Sequence, residues 1–407
     1  MGVNQLHDTM GNAWDIAWTR FFRPETNLFY DRISSKDLAH SQDHLPSVEE
    51  VRRGYPNVCG WGTGMEDSAI CSGVWMATLC DRFDATDDWG MKAYADKVWS
   101  GMARLAAISR SPGFIPRSAS PADGESHYIN SSRDQYTHYV HGLWRFYHSP
   151  LSDNAQREAM RNILTAICER MERNVIPEND YSLCREDGKP GKVDKMWEVW
   201  CHEWARLPMI YIVGWDMTRD GHWRDLYQRT AWKAARESIA SPIWFRVAYA
   251  YMQAVFSLEP LVSLENHDPA LRSAWTKAMH FYANRMEGFT WTCLNGYKPQ
   301  KIEDCDPDWR HWERHPMDDT PDAFCPVFPN NIAWDYDNDR SAGESEWIRE
   351  PSEALLAQLM VPDRPLSADQ RDLLLHLLHQ TDYDACITYG LFFTIAAYWR
   401  AIKCCVL

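Results

Sequence analysis

The segment NSSRDQYTHYVHGLWRF, residues 130–146, holds polar residues whose types and spacing could do chemistry. Asp134, His138, His141 and Arg145 recur at i, i+4, i+7 and i+11, so they lie along one face of a predicted helix. We call these four residues the polar stripe. Carboxylate and imidazole groups can transfer protons, and a guanidinium can bind an anion. A helix facing water would carry Lys and Glu at these positions, so the polar stripe is predicted to face an enclosed cavity.

The two histidines of the polar stripe allow more than one role. We predict a catalytic role for His138, by proton transfer or by contact with a sugar, whereas a hydrogen-bonded core position is favoured for His141 and substrate contact is its alternative. Their i, i+3 spacing could ligate a metal, but the sequence shows no third ligand. His202 and Glu203 do not form an H-E-x-x-H motif, which argues against a zinc hydrolase. No metal and no cofactor are therefore predicted.

Acidic residues recur at the predicted starts of separate helices. Glu66 and Asp67 follow a glycine-rich turn, and Asp134 follows two serines. Hydrolysis of a glycosidic bond needs one protonated acid and one carboxylate on opposite sides of the bond. Asp67 and Asp134 are predicted to be this pair, with N-capping of their helices as the structural alternative. The residues predicted to bind substrate are Glu66, Arg133, Gln135, His141, Trp197, Glu198, His202 and Arg349.

The elements that must position these residues are helices. A periodicity of 3.6 residues predicts about twelve helices and no strand, at approximately 5–22, 67–83, 87–109, 131–147, 153–174, 197–215, 220–238, 246–263, 268–286, 346–360, 367–379 and 388–402. Short links with Asp or Ser caps alternate with long links, which predicts helical hairpins with every long link on the same side. The helices that follow long links are rich in aromatic residues and poor in Lys, as expected for an inner ring.

This pattern predicts an all-α protein with an (α/α)6 toroid, in which the helix at 5–22 completes the outer ring. We call the end at which the inner helices begin the mouth. One domain is predicted over residues 1–407, with a long loop insertion at about 287–345 that covers the mouth. Tryptophans of this insertion, at positions 291, 309 and 312, are candidate sugar platforms or packing residues. An α-solenoid is the alternative, but no repeat of fixed period supports it.

Two motifs resemble those of unsaturated glucuronyl hydrolases and rhamnogalacturonyl hydrolases in the six-hairpin glycosidase superfamily. MEDSAICSGVWMATL, residues 65–79, is similar to the family's inner helix that opens with an acid/base Asp, which implies that role for Asp67. SSRDQYTHY is similar to the family's Ser-Arg-Gly-Gln stretch, which implies that Arg133 contacts a uronate carboxylate. Asp134 stands where the family has Gly. That departure adds a second carboxylate and leaves hydrolysis of a saturated uronoside open beside that of an unsaturated one.

Composition favours a carbohydrate ligand over several other classes of partner. The chain has 407 residues with 21 Trp and 18 Tyr, and aromatic rings of this kind can stack on sugars or simply fill a core. A net charge of −15 without any Lys/Arg run argues against nucleic acid and anionic membranes. The 12 scattered cysteines favour a reducing compartment, so a cytoplasmic location is expected, or a periplasmic or secreted one if a signal peptide precedes residue 1.

The sequence therefore predicts a glycoside hydrolase that acts on uronic-acid-containing oligosaccharides with carboxylate acid/base chemistry. A polysaccharide lyase on the same toroid is one alternative, with Tyr136 or His138 abstracting a proton beside a carboxylate neutralised by Arg133. A non-catalytic glycan-binding protein is the other. An oligosaccharide is the expected partner in all three cases, and no membrane span is predicted.

Overall fold

The chain folds into two concentric rings of helices. The computed structural model describes residues 3–240, 248–294, 306, 308–317, 323–327 and 344–407. Six helices form the inner ring: α3 (Ser68–Thr86), α5 (Arg133–His148), α7 (Arg206–Thr218), α9 (Ala248–Leu264), α11 (Glu344–Leu359) and α13 (Gly390–Lys403). Each inner helix packs on the next one, and α13 packs back on α3, so the ring is closed.

The outer ring consists of the helices that follow the short links. They are α4 (Met91–Ile108), α6 (Asn154–Asn174), α8 (Gly221–Glu237), α10 (Pro269–Leu294), α12 (Ala368–Gln380) and the N-terminal α1 (Val3–Ile16). The predicted caps are present on α6, where Asp153 and Gln156 form a capping box, and on α12, which Ser367 caps, but α4 begins at Gly90 without a side-chain cap. Helix α1 packs on α12 and α13 and so fills the last outer position. The (α/α)6 prediction is confirmed.

Small elements occupy the long links. A five-residue helix, α2 (Val48–Arg52), precedes the mouth, and a short π-helical turn follows α1 at Ala17–Phe21. Short 3-10 helices lie at Pro177–Asn179, Cys201–Glu203, Trp309–His311 and Tyr383–Ala385. Two antiparallel pairs of strands are β1 (Phe22–Arg23) with β2 (Leu28–Phe29), and β3 (Glu313–Pro316) with β4 (Phe324–Val327). The sequence shows no convincing strand run, and these four strands are only two to four residues long, so the all-α class is unaffected.

Two predicted boundaries are wrong. The helix predicted at 197–215 begins only at Arg206, because Glu198 has a left-handed backbone (φ 53°) and a 3-10 turn follows it. Helix α10 continues to Leu294, so the insertion begins later than predicted. No described helix is long and apolar enough to cross a membrane.

The insertion's strand pair packs against the loop that leads into α3. The N–H of Phe324 donates to the carbonyl of Pro56 (3.2 Å), and Asn57 Nδ2 donates to the carbonyl of Phe324 (3.0 Å). A Cβ placed on Gly62 would lie 2.9 Å from the carbonyl oxygen of Pro326. The described part of the insertion therefore lies against the loop that leads into α3.

A glycine contact brings α3 and α5 close together. A Cβ on Gly73 would lie 2.0 Å from the carbonyl oxygen of His138, and a Cβ on Gly142 would lie 2.7 Å from Cα of Gly73. Only hydrogen side chains at these crossing positions allow the two backbones to touch. This close approach sets the distance between the first turns of the two helices, where the candidate site begins.

Gly73→Ala is expected to lower the free energy of unfolding by about 2 kcal/mol, because the new methyl group would push against backbone rather than against a flexible side chain. Urea unfolding of the purified variant measures the loss. Gly11→Ala in α1 is the matched control: its Cβ would meet nothing within 4 Å, so a neutral or slightly stabilising effect is expected. A Gly73→Ala protein as stable as wild type would contradict the tight crossing.

Candidate active site

Asp67 lies at the start of α3 and is held by residues from two other hairpins. Its Oδ1 accepts a hydrogen bond from Gln135 Nε2 on α5 (2.7 Å), and its Oδ2 accepts one from the hydroxyl of Tyr389 at the start of α13 (2.6 Å). Arg117 Nη1 lies 3.6 Å from Oδ1. The side chain makes no capping hydrogen bond to its own helix. The N-cap alternative is therefore wrong for Asp67, whose oxygens accept from neighbouring elements.

Glu66, the preceding residue, has a strongly perturbed carboxyl group. Its Oε2 accepts a hydrogen bond from the backbone N–H of Gly62 (3.1 Å), and the residue is half-buried. Burial, followed by the nearby charge of Asp67, raises the pKa of Glu66 to about 7. A carboxyl group with such a pKa retains its proton in a large fraction of molecules near neutral pH, which a general acid requires.

Asp31 fixes the turn that carries both of these acids. Its carboxylate accepts the backbone N–H groups of Glu66 (2.6 Å) and Asp67 (2.8 Å), and its carbonyl oxygen accepts the N–H of Tyr389 (2.8 Å). Burial, and then the charges of Asp67 and Glu66, raises the pKa of Asp31 well above its usual range. Sequence reasoning missed Asp31, which lies just after β2 in the first long link, where no helical periodicity marks it.

Asp134 lies in the first turn of α5, in an ion pair with Arg206 of α7. Arg206 is buried, and its Nη2 also donates to Gln253 Oε1 on α9 (2.8 Å). Burial raises the pKa of Asp134, but the charges of Arg206 and Arg133 outweigh burial and lower it to about 2. Asp134 does not cap α5, because the Ser132 hydroxyl accepts the N–H at that end. An anion of this kind can accept hydrogen bonds from sugar hydroxyls and cannot act as an acid.

Arg133, the first residue of α5, keeps part of its guanidinium available. Its Nε donates to the buried carboxylate of Glu203. Among the described residues, no acceptor forms a hydrogen bond with Nη1 or Nη2. The side chain is 18% exposed. Burial lowers the pKa of Arg133, but the carboxylate of Glu203 more than offsets this, so the group stays cationic. Two parallel N–H groups of an arginine match the geometry of a carboxylate.

His138 lies under the mouth and has no contact with solvent. Neither ring nitrogen has a hydrogen-bond partner among the described residues, and the ring centroid lies 4.6 Å from that of Phe256. Burial, followed by the charge of His141, lowers the pKa of His138 to about 3, so the imidazole is neutral. His138 is therefore buried beneath the mouth, one helical turn from Asp134, and is not brought into contact with the opening.

The rest of the polar stripe belongs to a group of charges at the far end of the ring. His141 Nε2 lies 2.6 Å from Glu259 on α9, and Arg145 Nη2 lies 2.6 Å from Asp81 on α3. Arg400 of α13 binds both Asp81 and Glu259. We call these five residues the lower charge cluster. A small cavity of about 10 Å³ lies beside them. The polar stripe faces the interior of the ring, but His141 lies away from the mouth and binds Glu259 as a core residue would.

Trp197 and Glu198 are not on an inner helix, because α7 begins after them. The Trp197 ring packs against Trp204 at 4.7 Å between centroids, and Lys233 Nζ of α8 lies 5.4 Å from its centre. Glu198 is exposed and lies 4.0 Å from the same lysine. Both residues therefore contact the outer ring, and neither is brought to Asp67.

The remaining predicted residues lie close to the mouth. Arg349 on α11 stacks over the ring of Tyr389, with 4.7 Å from its guanidinium carbon to the ring centre, and its Nε donates to Glu353 (2.9 Å). His202 is buried, with Nε2 3.6 Å from Glu203 Oε1, and burial lowers its pKa well below the usual value. Each of the six inner helices thus has a polar side chain at or near its first turns.

Tyr389, Arg117 and Arg206 are further site residues that sequence reasoning did not single out. Tyr389 opens α13 directly after a short link, and Arg206 opens α7, whose start was misplaced. Burial raises the pKa of Tyr389 well above its usual value, so the phenol is neutral and donates to Asp67. Arg117 also lies 5.7 Å from the ring centre of Trp61, which stands beside the acids. For Tyr389 and Arg206, the sequence signal that could have marked them as site residues was their position at the start of an inner helix.

The insertion's tryptophans are packing residues where the structure describes them. Trp309 is buried and donates to the carbonyl of His44 (2.7 Å), and Trp312 is covered by Arg32 at 4.0 Å. The side chain of Trp291 lies outside the described residues. Among the described residues there is no group of three or more metal-ligating side chains.

No family model matches the sequence, and no curated protein matches it. Among solved structures, the chain is similar to the GH76A alpha-1,6-mannanase from Salegentibacter sp. HEL1_6, with 14% identity and a TM-score of 0.39, over 70% of this chain and 88% of the mannanase. It is also similar to a glycosyl hydrolase of family 88 from Bacteroides vulgatus, with 9% identity and a TM-score of 0.41, over 88% of this chain and 97% of that one. Similarities this distant say nothing about the activity of this chain. A proposal about its function must rest on the geometry of the mouth.

Proposed function

We propose that this protein is a glycoside hydrolase whose active site is the mouth of the ring, with Glu66 as the acid and Asp67 as the carboxylate partner. The observation that carries the proposal is the pair itself. Glu66 has a pKa raised to about 7, while Asp67 accepts hydrogen bonds from Gln135 and Tyr389 on its two oxygens. A proton donor beside a carboxyl group whose oxygens accept hydrogen bonds is what acid-assisted cleavage of an acetal needs.

The roles differ in part from those expected from the sequence. The sequence predicted Asp134 as the second catalytic acid. It forms an ion pair with Arg206, and its pKa is lowered to about 2, so its carboxylate is suited to accept hydrogen bonds from sugar hydroxyls. In the cleavage step, Glu66 donates its proton to the glycosidic oxygen as the C–O bond breaks. Asp67 then either bonds to the anomeric carbon or removes a proton from the attacking water. If Asp67 bonds to the anomeric carbon, water then breaks that bond by attack on the same carbon and gives its proton to Glu66. If Asp67 removes a proton from the attacking water, Asp67 releases that proton to solvent and Glu66 takes one up from solvent.

The substrate class proposed is a sugar that carries a carboxylate, a uronic acid. Arg133 supports this choice, because its terminal nitrogens face no acceptor among the described residues and its charge is secured by Glu203. A carboxylate on the substrate would complete a bidentate pair there. An ordinary neutral sugar would leave a partly buried cation with only hydroxyls to bind, which is weaker.

The lyase alternative is not favoured by the residues that it requires. Tyr136 is fully buried, donates to the carbonyl of Gly113 (2.9 Å) and accepts the N–H of Ile115 (3.0 Å). His138, the other candidate base, is sealed beneath the mouth. Neither side chain can reach a substrate proton from these positions.

The test is a panel of uronate-containing oligosaccharides, assayed for new reducing ends and for near-ultraviolet absorbance. A hydrolase of saturated uronosides releases reducing ends without changing this absorbance, a hydrolase of unsaturated ones destroys it, and a lyase creates it. We expect cleavage of the uronosides, and about tenfold or greater loss of kcat/KM when their carboxylates are reduced to alcohols.

Arg133→Lys tests the same interaction from the protein side. Lysine keeps a cation next to Glu203 but cannot form the bidentate pair, so KM for uronosides should rise about tenfold while cleavage of the carboxyl-reduced substrate stays unchanged. Cleavage of neutral and acidic substrates with equal efficiency would overturn the assignment of the uronate.

A further inference from the structure

Helix α3 begins after an aspartate that does not cap it. Asp67 occupies the N-cap position, but its side chain makes no hydrogen bond to the first turn of α3. An aspartate at this position commonly accepts the N–H two or three residues ahead. Those N–H groups belong to Ala69 and Ile70, and both residues are buried. Because buried N–H groups need acceptors, other residues must take over this role from Asp67.

The acceptors at the start of α3 come from other parts of the chain. The carbonyl of Arg117 accepts the N–H of Ala69 (2.9 Å), and Gln135 Oε1 accepts the N–H of Ile70 (3.2 Å). The carboxylate of Asp31 accepts the two N–H groups of the turn just before the helix. Helix α3 is therefore capped from outside, and this leaves both carboxyl oxygens of its N-cap residue available to other donors.

Gln135 also donates to the turn that it caps. Its Nε2 lies 2.7 Å from Asp67 Oδ1 and 2.9 Å from the carbonyl oxygen of Glu66. The orientation of the amide follows from its partners, because the N–H of Ile70 can only donate and the carbonyl of Glu66 can only accept. Nε2 therefore faces Asp67, whose Oδ1 acts as the acceptor. Both amide hydrogens and the amide oxygen are thus bonded within the protein, and the residue is fully buried.

We propose that Gln135 is a positioning residue for the carboxylate of Asp67 and not a ligand of the substrate. The inference rests on the proposed function, in which Asp67 acts on the anomeric carbon or on water. The sequence predicted Gln135 as a substrate-binding residue, but its amide has no hydrogen left to offer a sugar hydroxyl. Its contribution is to cap α3 in place of Asp67 and to hold Asp67 Oδ1 in one orientation. Such positioning supports turnover more than substrate affinity.

Gln135→Met tests this role, because methionine keeps the length of the side chain and removes its hydrogen bonds. On the best uronoside, kcat should fall about tenfold to a hundredfold, as expected when a hydrogen bond to a charged group is lost, while KM changes less than about twofold. Loss of a substrate ligand would raise KM instead. Gln370→Met on α12 is the matched control. Gln370 is also buried and donates to the carbonyl of Glu287 (3.2 Å), so stability should fall and neither kinetic constant should change.

Gln135→Glu separates positioning from packing, because the shape of the side chain hardly changes. The new carboxyl group can donate to Asp67 when protonated and repels it when ionised. The titratable groups that surround this position are the acids Asp31, Glu66 and Asp67, the guanidinium of Arg117 and the phenol of Tyr389. Since the acids outnumber the single cation and the position is buried, the new group should lose its proton only near or above neutral pH. The ratio of its kcat to that of wild type should be lowest above about pH 8 and recover towards about pH 5.

The outcomes separate this inference from the function on which it rests. A raised KM with unchanged kcat in Gln135→Met would make Gln135 a substrate ligand and overturn the inference. So would a Gln135→Glu protein whose kcat stays in constant proportion to wild type at every pH, or normal turnover in both variants. Each of these results leaves the hydrolase in place, because it is measured against cleavage by the wild-type protein. Absence of cleavage of any uronoside by wild type would overturn both proposals.

Discussion

Asp67→Asn is expected to reduce kcat about 10³-fold on the true substrate, because the amide can neither attack the anomeric carbon nor accept a proton from water. Asn is nearly isosteric, but its nitrogen would face the donor of Gln135 or of Tyr389, each of which now bonds to an Asp67 oxygen. KM should change much less than kcat. Steady-state kinetics on the best uronoside, with an unfolding curve to confirm the fold, provide the measurement.

Asp220→Asn is the matched control for this prediction. Asp220 caps α8 on the outer ring, where its side chain accepts the N–H of His222 (3.0 Å), and Asn can do the same. Full activity is expected there.

In the site itself, Glu66→Gln should remove the proposed general acid. The kcat/KM of the wild-type protein should fall as pH rises through about 7, since Glu66 must be protonated to donate. Normal turnover by Asp67→Asn would eliminate the proposed catalytic pair.

Asp81→Asn is expected to destabilise the protein by about 3 to 5 kcal/mol, as the loss of one partner from a buried ion cluster commonly does. Asp81 is buried and accepts from Arg145 (2.6 Å), Arg400 (3.1 Å) and Lys403 (2.8 Å). Removing its charge leaves these cations near one another, compensated by Glu259 and by the more exposed Asp84. Urea unfolding at neutral pH measures the effect.

The dependence of this effect on pH follows from the direction of the pKa shift. Burial raises the pKa of Asp81, but the charges of Arg145, Arg400 and Lys403 outweigh it and hold the pKa far below the ordinary value of 3.8. The ionised group therefore stabilises the fold at every pH above the unfolded value, and this contribution is lost as pH falls below it. The stability gap between wild type and Asp81→Asn should be constant at neutral pH and shrink below about pH 4.

Asp84→Asn serves as the comparison for Asp81. Asp84 lies one turn further along α3 and contacts Lys403 (2.7 Å) and Arg145 (3.7 Å), but its side chain is 38% exposed. Exposed ion pairs contribute little, so a loss below about 1 kcal/mol is expected. Equal losses in the two variants would show that the lower charge cluster adds nothing beyond surface pairing.

The ring could be predicted from the sequence because its signals are local. Caps such as Asp153, the alternation of link lengths and the scarcity of Lys on helices such as α5 each reflect one stretch of chain. The start of α7 could not be predicted in the same way. The tryptophans between 197 and 204 have a helical spacing, yet Trp197 and Trp204 pack on each other across a turn that Glu198 opens with a left-handed backbone.

The site was predictable only where its residues cluster in sequence. Arg133, Asp134 and Gln135 are consecutive, so one motif was sufficient to find them. Tyr389 is 322 positions from the carboxylate to which it donates, and that neighbourhood exists only because α13 closes the ring against α3. The raised pKa of Glu66 also depends on the folded structure, since burial is its main cause.

The glycine at position 62 connects the acid to a distant part of the chain. Its N–H holds Glu66 Oε2, and its Cα lies against Pro326 so closely that a methyl group would not fit. The strands β3 and β4 therefore support the turn that holds Glu66, the proposed proton donor. If that proposal holds, substitutions in this segment could change the pKa of Glu66 while every helix of the ring stays as it is.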